Sequence, residues 1–146
     1  MITNIINYLK TQSAVTDIVG DDPIKMFAGE VPKVMDKASG NEVAVTAPYI
    51  LIEERGGEKV RCMEGRTGVR DVDFLIEAVS YSKLEVIALY EALGDALDVA
   101  AHETWGTIEV QYSEMDEPTA ASIPPSAGEE YELKVLGGHL FVRAVY

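Results

Sequence analysis

The chain has 146 residues, 47% hydrophobic and 25% charged, and its 12 basic against 25 acidic side chains give a formal charge of −13. This size and apolar content suit one domain with a buried core and exclude global disorder, while the acidity disfavours free DNA or an anionic membrane, since each approach to phosphate works against the summed negative field. The lone cysteine, Cys62, excludes an internal disulfide, and the absence of a basic-then-apolar leader or of an apolar run near 18 residues argues against export by signal peptide or membrane insertion.

Thr3 is a candidate cap for a first helix in which Ile5, Ile6 and Leu9 recur at helical spacing, and "AVTDIVGDD" adds a short helical turn closed by Gly20. Residues 24–28 (IKMFA) read as a short strand. Residues 29–47, "GEVPKVMDKASGNEVAVTA", follow neither period and mix Gly, Pro, Lys and Asp; a long mobile loop that orders on assembly is predicted there. "PYILIEE" then starts a strand, with Pro48 at its tolerated first position. In residues 69–80, Val72, Phe74, Ile76 and Ala78 alternate with Asp71, Asp73, Leu75 and Glu77, the period of a half-buried strand. The stretch between these two strands becomes a hairpin connection. Its glycines at 56, 57, 65 and 68 suit bends, and residues 59–64 are predicted to extend both strands beyond the body of the sheet.

Ser82-Lys83-Leu84-Glu85 carries the capping-box pattern and opens a helix predicted over residues 83–101. Val86, Leu89, Leu93, Leu97 and Ala100 form its apolar stripe, and Glu91, Asp95 and Asp98 face water. "TIEVQYS" (107–113) alternates as a strand, and "EMDEPTAASIPPSAGEE" reads as a second exposed loop, mobile over 116–129. In "YELKVLGGHLFVRAVY" the apolar phase slips between Val135 and Leu140, and a β-bulge at Gly137-Gly138 would return both halves to one face. The expected fold class is α+β: an antiparallel or mixed sheet of four to five strands on two helices, with a protruding β-hairpin and long loops, in a single domain.

Catalytic patterns are weak. Gly65-Arg66-Thr67 resembles the end of a phosphate-binding loop, but Arg66 replaces the lysine and Val60 stands where the first glycine belongs. Asp71, Asp73, Glu53 and Glu54 are near enough in paired strands to suggest a carboxylate cluster for a divalent ion; the more ordinary reading is a solvated or subunit-facing sheet surface. His102 and His139 lack metal-site spacing, and His102 beside a helix end suits the helix dipole. No nucleophile elbow surrounds a serine, and Cys62 has no histidine near it in sequence. No catalytic residue, cofactor or metal ligand is assigned. The charge distribution is more telling. "RGGEKVRCMEGRTGVR" (55–70) holds five of the twelve basic residues and two of the twenty-five acidic ones, net +3, which leaves −16 on the rest of the chain. Arg55, Lys59, Arg61, Arg66 and Arg70, with Lys33 and Lys37 of the first loop, are therefore the candidate assembly surface.

The order of elements resembles the tail-completion and tail-terminator proteins of long-tailed bacteriophages over about residues 3–100. The positions that carry the resemblance are Val19-Gly20 before the strand at 24–27, Pro48-Tyr49-Ile50 opening the next strand, and Ser80-Tyr81-Ser82 leading into the helix with Glu85, Ile87, Leu93 and Leu97. The acidic, proline-rich segment 114–130 has no counterpart in that pattern. The resemblance implies a non-catalytic virion protein, assembled in the host cytoplasm. It would form a homo-oligomeric ring, typically a hexamer, that caps the tail tube, meets the tube protein and the head–tail connector or stopper, and passes DNA through its lumen. Neighbouring readings are another neck protein, namely a head-completion stopper or adaptor, or a tube protein. From a different class stands a small acidic metal-binding module or enzyme. In the ring reading the basic hairpin is a docking arm for acidic surface on a neighbour, and acidic lumen walls repel the DNA backbone so that it slides.

Overall fold

In the computed structural model the described residues are 1–20, 25–30, 33–35, 40, 42–62, 65–99, 102–125 and 131–145, with side chains placed in all of these except 33–35, 42–44, 60–62 and 65–67. The class is α+β. Helices α1 (Ile2–Leu9), α2 (Ser13–Val19) and α3 (Lys83–Leu97) accompany strands β1 (Met26–Ala28), β2 (Lys33–Met35), β3 (Glu42–Ala44), β4 (Tyr49–Cys62), β5 (Gly65–Ser80), β6 (Glu103–Trp105), β7 (Ile108–Met115), β8 (Thr119–Ile123) and β9 (Leu133–Val145). Seven strands form one mixed sheet in the order β1-β4-β5-β9-β7-β6, with β8 also paired to β9; β2 and β3 pair only with each other. The mixed character comes from β1, which runs parallel to β4 while the other pairs are antiparallel. The sheet is larger than the four to five strands expected, and the helices number three among the described residues.

One face of the sheet carries the core. Val72, Phe74, Ile76 and Ala78 of β5 are buried with Ile50 and Ile52 of β4 and Leu140, Val142 and Ala144 of β9, as the alternation predicted. Onto them pack Ile5 and Leu9 of α1, Val15 and Val19 of α2, and Val86, Leu89, Leu93 and Leu97 of α3. No helix among the described residues is long and apolar enough to cross a membrane.

Several local expectations are corrected. Thr3 lies inside the first turn of α1, whose N-cap is Met1 without a side-chain cap. Helix α2 does close at Gly20, where a φ of 83° suits glycine and the backbone N–H donates to Thr16 O. The capping box of α3 is half formed: Ser82 Oγ accepts from the Glu85 N–H at 3.4 Å, but the Glu85 carboxylate accepts from Ser80 Oγ at 2.5 Å instead of reaching back. Helix α3 stops at Leu97, four residues short of the predicted end. There the buried Ser113 captures the chain: its hydroxyl donates to Leu97 O, and the Val99 N–H donates to Ser113 O at 3.0 Å. That isolated bridge pulls Val99 onto the edge of β7. His102 lies five residues past the end of α3, and its Nδ1 pairs with Glu109 Oε1 at 2.9 Å.

The bulge expected at Gly137-Gly138 is absent. Strand β9 pairs with β5 in unbroken register from Lys134 opposite Ser80 to Val145 opposite Val69. The apolar phase slips because the two halves of β9 bury opposite faces: Leu140, Val142 and Ala144 enter the main core, whereas Val135 joins Tyr49 and Val79 in a small cluster on the other side, flanked by Phe27, Leu51 and Leu133. The two segments read as loops also contain strands. Residues 33–35 pair with 42–44, and residues 119–123 add as β8 to β9. Glycine at 138 has a packing reason, since a Cβ there would collide with the Tyr90 hydroxyl, which donates to Asp116 O at 2.9 Å and ties α3 to the β7–β8 corner. Gly138→Ala is therefore expected to cost about 1–3 kcal/mol by overpacking, read as a lower unfolding midpoint with unchanged denaturant slope.

Helix α1 is fastened to the β6–β7 turn. Asn4 Nδ2 donates to Trp105 O at 3.2 Å, Tyr8 stacks on the fully buried Trp105 with ring centroids 5.2 Å apart, and the Tyr8 hydroxyl donates to Glu103 at 2.5 Å. Burial and the Glu103 carboxylate push the Tyr8 hydroxyl up to about 12. A raised value favours the neutral phenol in the folded state. The stabilisation is present below the unfolded value of about 10 and is lost as pH climbs through the folded one. Unfolding free energy measured from pH 9 to 12 should thus fall less steeply in Tyr8→Phe than in the parent chain.

Candidate assembly interface

Strands β4 and β5 run together from Tyr49 opposite Val79 to Cys62 opposite Gly65, so the predicted hairpin is present and longer than the sheet that supports it. On one flank β1 covers β4 only at residues 50–52. On the other, β9 pairs β5 no farther out than Val69. Beyond these limits, among the described residues, the hairpin is a two-stranded ribbon with no strand paired to its β4 edge. Such a ribbon is marginal alone in water, which favours its engagement with another surface.

The register sharpens the electrostatic point. Shifts between Glu54 and Gly56 and between Lys59 and Arg61 place Lys59 directly opposite Arg70, and Arg61 opposite Arg66. The backbone register thus sets basic residues across from one another at two positions of the hairpin, separated on β5 by residues 67–69. On its other side Arg70 stands opposite Ala144 of β9, and the β5–β9 register ends at Val69. The acidic counterpart one step inward is treated differently. Glu58 is opposite Asp71, but Arg143 of β9 holds Asp71 with both carboxylate oxygens at 2.7 Å, and these hydrogen bonds keep the Asp71 carboxyl below its ordinary value. Asp71 thus has its counter-ion within the body of the sheet, on the neighbouring strand.

Of the residues assigned from sequence, Arg55 and Lys59 lie exposed on β4, with Arg55 in a 3.3 Å ion pair to Glu53. Arg70 is partly buried at the base of the tip. Arg61, Arg66 and Lys33 are placed by their strands' backbone, with their side chains outside the described set, and Lys37 is outside the described residues altogether. The hairpin therefore brings Arg55, Lys59, Arg61, Arg66 and Arg70 onto one projection; Lys33 belongs to the separate β2–β3 pair. The carboxylates weighed as a metal cluster are dispersed. Asp71 is bound by Arg143, Glu53 by Arg55, and no group of three His, Cys, Asp or Glu side chains converges as a cation site among the described residues.

Two acidic depressions went unread in the sequence, because they join residues far apart in the chain. On the sheet face opposite the helices, a groove of about 380 Å³ beside β8 is lined by Glu77, Asp116, Glu117, Thr119, Ala121 and His139, among others. A second, of about 510 Å³, lies between α3 and the β7–β8 corner and includes Glu91, Asp95, Asp98, Asp116 and Glu117. Among the described residues neither has a lysine or arginine in its lining.

No protein-family model matches the chain, and no curated protein matches it in sequence. In fold it is similar to a chain from the virion of a native gene transfer agent particle, with a TM-score of 0.68 and 12% identity over 100% of this chain and 95% of that one. The likeness is one of fold, and it spans the core, the hairpin and the added strands together.

Proposed function

We propose that this chain is a structural virion protein that assembles as a ring, caps a phage tail tube and joins the tail to the head connector, with DNA passing through the lumen. The observation that carries the proposal is the fold shared over the full chain with a virion component. In this reading the hairpin is the assembly device, since residues 55–70 hold five of the twelve basic residues and would complement acidic surface on a neighbour. A ring of copies each carrying −13 presents a wall that repels phosphate, which suits DNA in transit rather than DNA held. The chain has no catalytic role in this reading, and its carboxylates serve as ion-pair partners and docking surface. In this reading residues 29–47 and 116–129, which lie partly outside the described residues, are the segments expected to order on assembly.

Co-sedimentation tests the placement within the virion. A terminator is expected to pellet with purified tail tubes in amounts set by the number of tube ends, and to join connectors only once on a tube. Binding along the whole tube would make it a tube protein. Binding to connectors alone would make it a head-completion stopper or adaptor.

A further inference from the structure

Strand β8 is an unusual edge. It pairs with β9 from Thr119 opposite Gly137 to Ile123 opposite Leu133, and among the described residues no strand pairs with its other side. All five of its residues, Thr-Ala-Ala-Ser-Ile, are exposed, and none is charged. Edge strands are ordinarily blunted by charge, by bulges or by proline within them. Here the prolines at 118, 124 and 125 only bound the strand, so a five-residue segment with outward N–H and C=O groups on alternate residues is left open.

We propose that β8 is the docking edge for the β4 edge of a second copy, so that the sheets of neighbouring subunits join strand to strand; this rests on the ring reading above. Three observations select this occupant. Among the described residues the outer part of β4, from Glu53 onward, is a second long edge with no strand paired to it, left open where β1 ends at Ala28 opposite Ile52. Its exposed Glu53, Glu54, Arg55, Glu58 and Lys59 disfavour pairing with a like-charged strand, whereas the uncharged side chains of β8 oppose none of them. The groove that flanks β8 presents Glu77, Asp116 and Glu117, which match the basic hairpin that β4 carries. The two edges lie on opposite sides of the sheet order, so their pairing is head-to-tail and repeats from copy to copy, the arrangement that closes rings.

Disulfide trapping tests the pairing. In a Cys62→Ser background, one cysteine is introduced on β8 (Ala121→Cys or Ser122→Cys) and one on β4 (Arg55→Cys or Lys59→Cys), and the concentrated protein is oxidised and separated under denaturing, non-reducing conditions. β5 and β9 intervene between β4 and β8 within one chain, about 14 Å, too far for an intrachain disulfide. A ladder of multimers is expected only when both strands carry a cysteine. Ala121→Lys, which places a cation in the acidic groove on an exposed strand, should weaken association at least ten-fold with an unchanged unfolding temperature. Rings seen by electron microscopy without a ladder would overturn the strand pairing and leave the ring reading standing. A covalent dimer from β8 cysteines alone would replace it with a symmetric β8–β8 contact. A ladder accompanied by open filaments would uphold the pairing and overturn the ring, and a chain that stays monomeric at every concentration would overturn both.

Discussion

Replacing Lys59, Arg61 and Arg66 together by glutamine is expected to leave the fold intact and to reduce assembly at least ten-fold. The fold should tolerate the change because surface charge pairs contribute little, roughly 0–1 kcal/mol each. The unfolding midpoint should stay level. Assembly should fall because three charges that meet acidic surface on a neighbour are lost together, and charge complementarity sets association rate and partner choice. In the parent chain, association measured by light scattering should weaken as salt rises beyond about 0.1–0.15 M, where the screening length drops below about 10 Å, and the triple variant should show little salt dependence. A hairpin built to hold nucleic acid would behave differently: the isolated parent would bind duplex DNA with a steep salt slope, which the variant would lose. No such binding is expected of a chain with −16 outside the hairpin.

Phe74→Ala should have the largest effect on stability. Phe74 is fully buried on the core face of β5, paired with Glu54 on one side and Leu140 on the other, at the strand that links the hairpin to the rest of the sheet. Truncating such a side chain removes its transfer free energy and leaves a cavity, typically about 3–5 kcal/mol. Against the 5–15 kcal/mol that usually separates folded from unfolded states, this is a large fraction. Chemical denaturation should show a markedly lower midpoint, and because the hairpin projects from β5, assembly should fall with it. Loss of assembly together with loss of fold distinguishes this variant from the triple glutamine variant.

The elements legible in the sequence are those whose burial is one-sided and continuous. The stripe from Val86 to Leu97 and the alternation from Val72 to Ala78 each name a face, and both faces are where the core lies. Strand β8 was illegible because all of it is exposed, so no apolar period marks it; its hydrogen bonds to β9 make it a strand. Strands β2 and β3, three residues each, are too short to declare a period. The end of β9 misled for the opposite reason: apolar residues on both faces mimic the slip of a bulge, and only the cluster of Val135 with Tyr49 and Val79 separates the two cases. The hairpin and its charge could be read from glycines and arginines. Its like-charge pairings could not, because they depend on the register shifts near residues 55 and 60. The acidic grooves combine β5, β8, β9 and α3, so they emerge only once the sheet order is known.

Electron microscopy of the concentrated protein, alone and mixed with purified tail tubes, tests the ring most directly. Closed rings of uniform size with a central opening, seated one to a tube end, are the expected images. Monomers in both preparations, with bare tube ends, would contradict the account.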